Sequence, residues 1–111
     1  MVDLAGKVVI VTGGAQGVGG GIARCMAQSG AKVLIADIDF SAARNMTDRI
    51  NNDGGTAYPF EVDVTSYQAL RNMVKEAKNQ WGALNILVNN AYNAADGQQG
   101  GVLEVDEDRM G

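Results

Sequence analysis

Apolar residues fall into four short runs, separated by stretches in which they recur every three or four positions. The runs "KVVIVT" (7–12), "KVLIA" (32–36), "AYPFEV" (57–62) and "LNILVNN" (84–90) read as strands. Three of them are continuously apolar, the pattern of parallel strands buried on both faces. The third holds the only proline, Pro59, which has no N–H to give to a ladder and therefore predicts an edge strand. Between the runs, the spacing predicts a helix over 18–29 that stops at Gly30. A second is expected from a Ser41 cap to about 51–54, and a third from a Ser66 cap to Gly82.

Strands alternating with helices imply right-handed βαβ crossovers and a parallel α/β sheet. The expected order is 3-2-1-4, which puts the proline strand at the rim. Strand four would then present "NILVN" as a bare apolar edge, an invitation to self-association or to a partner. After Asn90 the pattern loosens into "AYNAADGQQGG". Asp106, Glu107 and Asp108 follow, acids suited to the first turn of a helix. The reading is one domain over 1–111 that stops as its fourth major helix begins.

Composition narrows the classes. The 111 residues are 46% hydrophobic and 20% charged, as in ordinary globular domains. The formal net charge is −4 and no basic stripe appears, which argues against nucleic acid as a partner. No run approaches the roughly 18 apolar residues of a membrane span. The opening "MVDLAGK" lacks the features of a signal peptide, so a cytoplasmic protein is expected. With one cysteine and no histidine, neither an internal disulfide nor a histidine-based zinc site is available, and no metal site is expected. Cys25 shares its helix with Ile22 and Met26, and buried packing is expected of it. Trp81 is expected to cover the end of the third helix, and the acids at 106–108 to be a solvated helix start rather than a cation site.

The chemistry concentrates in "TGGAQGVG", which follows the first strand and opens the first helix. Gly13 permits a sharp turn, Gly17 removes bulk where a pyrophosphate could approach, and Gly19 lets the helix pack closely. Backbone N–H groups around Gln16, Gly17 and Val18 would face the anion. Gly14, Gly20 and Gly21 have no assigned task. The stretch lacks the lysine and hydroxyl of a triphosphate-binding loop. Asp37 stands 18 positions after Gly19, at the end of strand two. Its carboxylate can accept both ribose hydroxyls and would repel a 2′-phosphate. Neither Ile38 beside it nor Gln16 in the loop is a base that would welcome that phosphate. NAD is therefore favoured over NADP, with Asp39 a more distant competitor for the ribose role.

These residues resemble the N-terminal half of a short-chain dehydrogenase/reductase. The spacing T-G-x-x-x-G-x-G, the opening "LAGKVVIVTG", "VDV" at 62–64 and "LVNNA" at 87–91 carry the likeness. The resemblance implies the first half of a Rossmann-type doubly wound fold. It implies Asp63 toward the adenine amino group, Val64 along the ring, Asn90 and Ala91 against the cofactor, and Asn89 as a support. Tyr92 replaces the glycine that the family has after N-N-A. The family's catalytic serine and its Tyr-x-x-x-Lys pair lie beyond the matched region, and no Y-x-x-x-K occurs in this chain. Tyr67 and Arg71, four apart on the third helix, read as a surface pair.

Two functions remain open. The chain is the cofactor-binding half of an NAD-dependent oxidoreductase that transfers hydride between nicotinamide and a small alcohol or carbonyl, inactive until its catalytic half is supplied. Alternatively it is a non-catalytic NAD-binding or self-associating half-fold, a homo-oligomer joined through strand four. A methyltransferase is disfavoured, because its glycine loop is spaced differently and "NNA" has no place in it.

Overall fold

Three β–α units in succession lead to a fourth strand: β1 (Val8–Thr12), α1 (Gly17–Gln28), β2 (Lys32–Asp37), α2 (Phe40–Asn52), β3 (Thr56–Glu61), α3 (Tyr67–Trp81) and β4 (Ile86–Asn89). A further strand, β5 (Gly101–Glu104), closes the sheet in the order β3-β2-β1-β4-β5. The computed structural model describes residues 3–90 and, as backbone, 101–104. β1 runs parallel to both β2 and β4, and β2 parallel to β3.

Alternate residues of the central strands feed two separate cores. Val9, Val11, Val33 and Ile35 face α1 and α2, packing with Ala23, Ala27, Ala43, Met46 and Ile50. Val8, Ile10, Leu34 and Ala36 face the opposite way and pack with Met73, Val74 and Ala77 of α3. Both faces are therefore apolar, which is why β1 and β2 read as unbroken hydrophobic runs. Trp81 is half-buried against the α3 core, in keeping with its place at the helix end.

Pro59 does lie in the edge strand, and the outer rim of β3 is managed there. Asn51, from the last turn of α2, turns its amide to β3. Its Oδ1 accepts from Ala57 N–H at 2.8 Å and its Nδ2 donates to Ala57 C=O at 3.2 Å. Backbone direction repeats every two residues in a strand, so Pro59 faces the same outer side as Ala57. One side-chain amide and one missing donor thus blunt the edge against pairing with another chain.

Several expectations need correction. The cap of α2 is Asp39, not Ser41: its Oδ1 accepts from Ala42 N–H at 3.1 Å. The helix starts two residues earlier than expected because the carboxylate satisfies an otherwise orphaned donor of the first turn. Ser66 does cap α3, accepting from Ala69 N–H at 3.2 Å, and Gly82 ends it with φ +79°. Cys25 is exposed rather than buried. The inward residues of α1 are Gly19, Gly20, Ala23 and Ala27, and two positions beyond Ala23 is about 200° around the helix, on the solvent side.

The edge of β4 is not bare. β5 pairs with it antiparallel, Leu87 opposite Leu103 and Val88 opposite Val102. The expected route to self-association through that edge is closed, because β4's outward N–H and C=O groups have partners within the chain. The helix expected from Asp106 lies outside the described residues.

Candidate cofactor site

The carboxyl ends of β1, β2 and β4 meet at the glycine turn. Thr12 stands opposite Ala36 on one side and Asn89 on the other. α1 leaves this point over one face of the sheet and α3 packs on the other, so the crevice is a topological switch point, where α/β sheets place their ligands. Gly13 begins the turn with φ +63°, its N–H donating to Ala36 C=O at 2.7 Å.

α1 opens without a side-chain cap. Gln16 is its N-cap but makes no capping bond, and the first turn carries no acid. The first backbone bond into the helix runs from Gly20 N–H to Gln16 C=O at 3.0 Å. The N–H groups before it have no intrahelical acceptor and sit at the positive end of the helix dipole. An anion is the natural complement of such a start. Gly17 has φ +59°, and a Cβ there would meet nothing within 4 Å. Backbone conformation, not crowding, demands this glycine, and the space in front of it is free. Gly19 differs. A Cβ there would collide with the Gly13 carbonyl and the Asn90 side-chain amide, so the close approach is between helix start and turn.

Asp37 ends β2, half-buried, with its carboxylate turned to the turn. Oδ2 accepts from Ala15 N–H at 3.3 Å and Oδ1 from Asp39 N–H at 3.0 Å. Asp39 is committed to capping α2, which leaves Asp37 as the acid beside the glycine loop. Two apolar side chains stand unusually bare on the same rim, Val18 at 73% exposure and Ile38 at 69%.

Asp63 is exposed after β3, its Oδ1 accepting from Thr65 Oγ1 at 2.7 Å and Thr65 N–H at 3.0 Å. The hydroxyl bond, and then the amide bond, hold its carboxyl below the ordinary carboxylate value. Val64 is half-buried against the α3 core, so it already has a packing task.

One brace had no signal beyond a polar residue closing an apolar strand. Thr12 is 1% exposed, and its Oγ1 donates to Asn89 Oδ1 at 3.0 Å while accepting from Asn90 N–H at 3.0 Å. Asn90 Nδ2 in turn donates to Gly13 C=O at 3.3 Å. The hydroxyl therefore ties β4 to the first turn, and Asn90 reaches the same carbonyl that crowds Gly19. Gly13, Gln16, Gly17, Val18, Gly19, Asp37, Ile38 and Asn90 gather around this turn, with Asp63 and Val64 on the neighbouring loop after β3. Ala91 and Tyr92 lie outside the described residues. Tyr67 and Arg71 sit on α3, the guanidinium 5.9 Å from the ring centroid. Among the described residues no cluster of acids and cysteine could hold a metal ion, and no helix is long and apolar enough to cross a membrane.

A parallel sheet in 3-2-1-4 order with a glycine turn at its switch point defines a Rossmann-type nucleotide-binding fold. The chain belongs to the short-chain dehydrogenase family, whose family model matches residues 7–110. It is 41% identical over 88 residues to a 7alpha-hydroxysteroid dehydrogenase of Escherichia coli, covering 79% of this chain and 34% of that protein. Against a sorbitol dehydrogenase of Cereibacter sphaeroides it is 40% identical over 88 residues, covering 79% of this chain and 33% of the other. A solved 7 alpha-hydroxysteroid dehydrogenase complexed with NADH and 7-oxo glycochenodeoxycholic acid superposes with a TM-score of 0.80 at 40% identity. That match covers 82% of this chain and 36% of the other. The chain thus spans about a third of the length of these relatives.

Proposed function

We propose that this chain is the cofactor-gripping part of a nicotinamide-dependent short-chain dehydrogenase and that it takes NAD(H) in preference to NADP(H). The observation that carries the reading is the meeting of the uncapped start of α1 with the Asp37 carboxylate at the β1–β2 junction. A dinucleotide fits these groups. The free space at Gly17 and the N–H groups around Gln16, Val18 and Gly19 suit a pyrophosphate. Each Asp37 oxygen holds one backbone N–H, and a carboxylate oxygen has a further lone pair for a ribose hydroxyl. Ile38 and Val64 offer apolar surface to the adenine, and Asp63 an acceptor for its amino group. Gly13, Asn90 and Ala91 serve the remainder of the cofactor.

When bound, the nicotinamide supplies or accepts the hydride exchanged with an alcohol or carbonyl carbon. The residues of this chain bind, orient and select. With no Tyr-x-x-x-Lys in its sequence, the chain alone binds cofactor without turnover. The rest of the site comes from polypeptide equivalent to the remaining two thirds of the relatives. We place the protein in the cytoplasm, where the exposed Cys25 would stay reduced. Association through β4 is not favoured, since that edge pairs with β5.

Calorimetric titration with NAD and NADP, on the chain and on Asp37→Ala, tests the assignment. NAD should bind at least about tenfold tighter than NADP, roughly 1.4 kcal/mol, and the substitution should erase that difference. Equal affinities in the unsubstituted chain, or a preference that survives in Asp37→Ala, would refute the role of Asp37. Alcohol oxidation by this chain alone would refute its assignment as a binding part.

A further inference from the structure

The connection from α2 to β3 carries a feature that cofactor binding does not use. Asp53 caps the end of α2 and Gly54 follows it, both exposed. Among the described residues no other aspartate precedes a glycine: Asp3, Asp37, Asp39, Asp48 and Asp63 are each followed by a larger side chain. The bond after an aspartate can be attacked from within, because the next residue's nitrogen can reach the side-chain carboxyl carbon. Glycine lacks the Cβ that obstructs this approach. A Cβ on Gly54 would meet nothing within 4 Å, so the backbone there has room to move. The turn stands at the β3 edge of the sheet, the edge away from β5.

One residue holds both ends of that turn. Asn51 C=O accepts from Gly54 N–H at 3.2 Å, and that nitrogen is the one that would have to attack. The Asn51 side chain grips Ala57 N–H and C=O at 2.8 and 3.2 Å. Between these grips Gly55 is fixed. Its N–H donates to Ile50 C=O at 2.9 Å, and a Cβ on it would strike the Ile50 side chain. The connection therefore has little slack. With its N–H engaged, Gly54 can react only when the turn opens, a local event that leaves the two cores intact.

We propose that Asp53–Gly54 is a site of spontaneous isoaspartate formation and that Asn51 gates it. Once the turn opens, the Gly54 nitrogen bonds to Asp53 Cγ and gives up its proton, and the carboxyl loses its hydroxyl as water. A five-membered succinimide results. Water then adds to one of its two carbonyls. Addition at the Asp53 backbone carbonyl breaks the bond from that carbon to the Gly54 nitrogen. The main chain then runs through Cβ and Cγ, and the former backbone carbonyl becomes a free carboxylate. The water lost in the first step is regained in the second, so mass and oxidation state are unchanged. The product puts one extra backbone carbon between Asn51 and Ala57. With Gly55 fixed on Ile50, that carbon displaces the Asn51 amide from Ala57 and uncovers the outer rim of β3. The inference does not depend on nicotinamide binding.

Ageing of the full chain at neutral pH tests it, read by digestion and mass spectrometry of the peptide that contains Asp53. Isoaspartate should form there faster than at any other described aspartate, yet at least about tenfold more slowly than in the same chain unfolded in urea. Asn51→Ala should speed it about fivefold. Val74→Ala, which loosens the α3 core on the other face of the sheet, should leave the rate within about twofold. In the isomerised fraction the Ala57 amide should exchange with solvent about tenfold faster. No isoaspartate at Asp53 in the folded chain, a rate equal to that in urea, equal acceleration by the two substitutions, or an unchanged Ala57 amide would overturn the proposal.

Discussion

Two threonines are buried among the described residues, Thr12 at 1% exposure and Thr47 at 5%, and they live in opposite circumstances. Thr12 closes β1 at the switch point, where its hydroxyl joins Asn89 and Asn90. Thr47 faces inward from α2, and its Oγ1 has no hydrogen-bond partner. The same contrast separates two glycines of α1. Gly19 stands where a side chain would strike the Gly13 carbonyl, whereas a Cβ on Gly21 would meet nothing. At the carboxyl end of the sheet, Thr12 and Gly19 each have a close neighbour that accounts for the residue type. A turn or two away, the same residue types cost stability with no visible return. The difference marks the crevice as the place where the fold is committed to a task.

Substitutions at matched positions should therefore have opposite signs. Gly19→Ala should have the largest effect, a loss of about 3 kcal/mol or failure to fold, because rigid backbone must move to admit the methyl group. Thr12→Val should follow. It leaves the Asn90 N–H and Asn89 Oδ1 without their shared partner, costing about 1–3 kcal/mol in urea unfolding and weakening NAD binding as the turn loosens. Thr47→Val should instead stabilise by about 1 kcal/mol, since a lone buried hydroxyl is exchanged for a methyl group of similar shape. If Thr47→Val destabilised as Thr12→Val does, the contrast between the two regions would be lost. Gly21→Ala should add about 0.5–1 kcal/mol by restoring helix propensity at an open position, with NAD affinity unchanged.

The smallest effect belongs to Asp63. Its carboxyl titrates below the ordinary value when folded because Thr65 bonds the charged form. The stabilisation is thus complete above the unfolded value and lost as pH falls through the folded one. Thr65→Ala should move the Asp63 titration, followed by NMR, up toward the ordinary aspartate value. An unchanged midpoint would show that Thr65 does not set it.

Much of this architecture was legible along the chain because it rests on local chemistry. Strands buried on both faces must be apolar throughout, so β1, β2 and β4 announced themselves, and Pro59 could sit only at an edge. Ser66 and Gly82 bracket α3 through bonds to residues three and four positions away. The glycine turn between β1 and α1 was also readable, since a sharp strand-to-helix turn calls for glycine, and Asp37 at the end of β2 does meet that turn, accepting from Ala15 N–H. What local reading missed depends on neighbours remote in sequence or on direction in space. The solvent-facing side of Cys25 depends on which stripe of α1 meets the sheet: Ile22 and Met26 pack at the margin of that core, whereas Cys25 falls outside it.

The sequence by itself determined the alternation of elements, the strand order and the residue types of the candidate site, because burial and turn geometry constrain each segment separately. Only the tertiary structure decided that Asp39 caps α2 while Asp37 turns to the loop, and that β5 seals β4. It alone revealed that one hydroxyl, Thr12, ties the turn to residues 77 and 78 positions away. Such choices are made between competing partners, and partners so far apart in sequence exist only once the chain has folded.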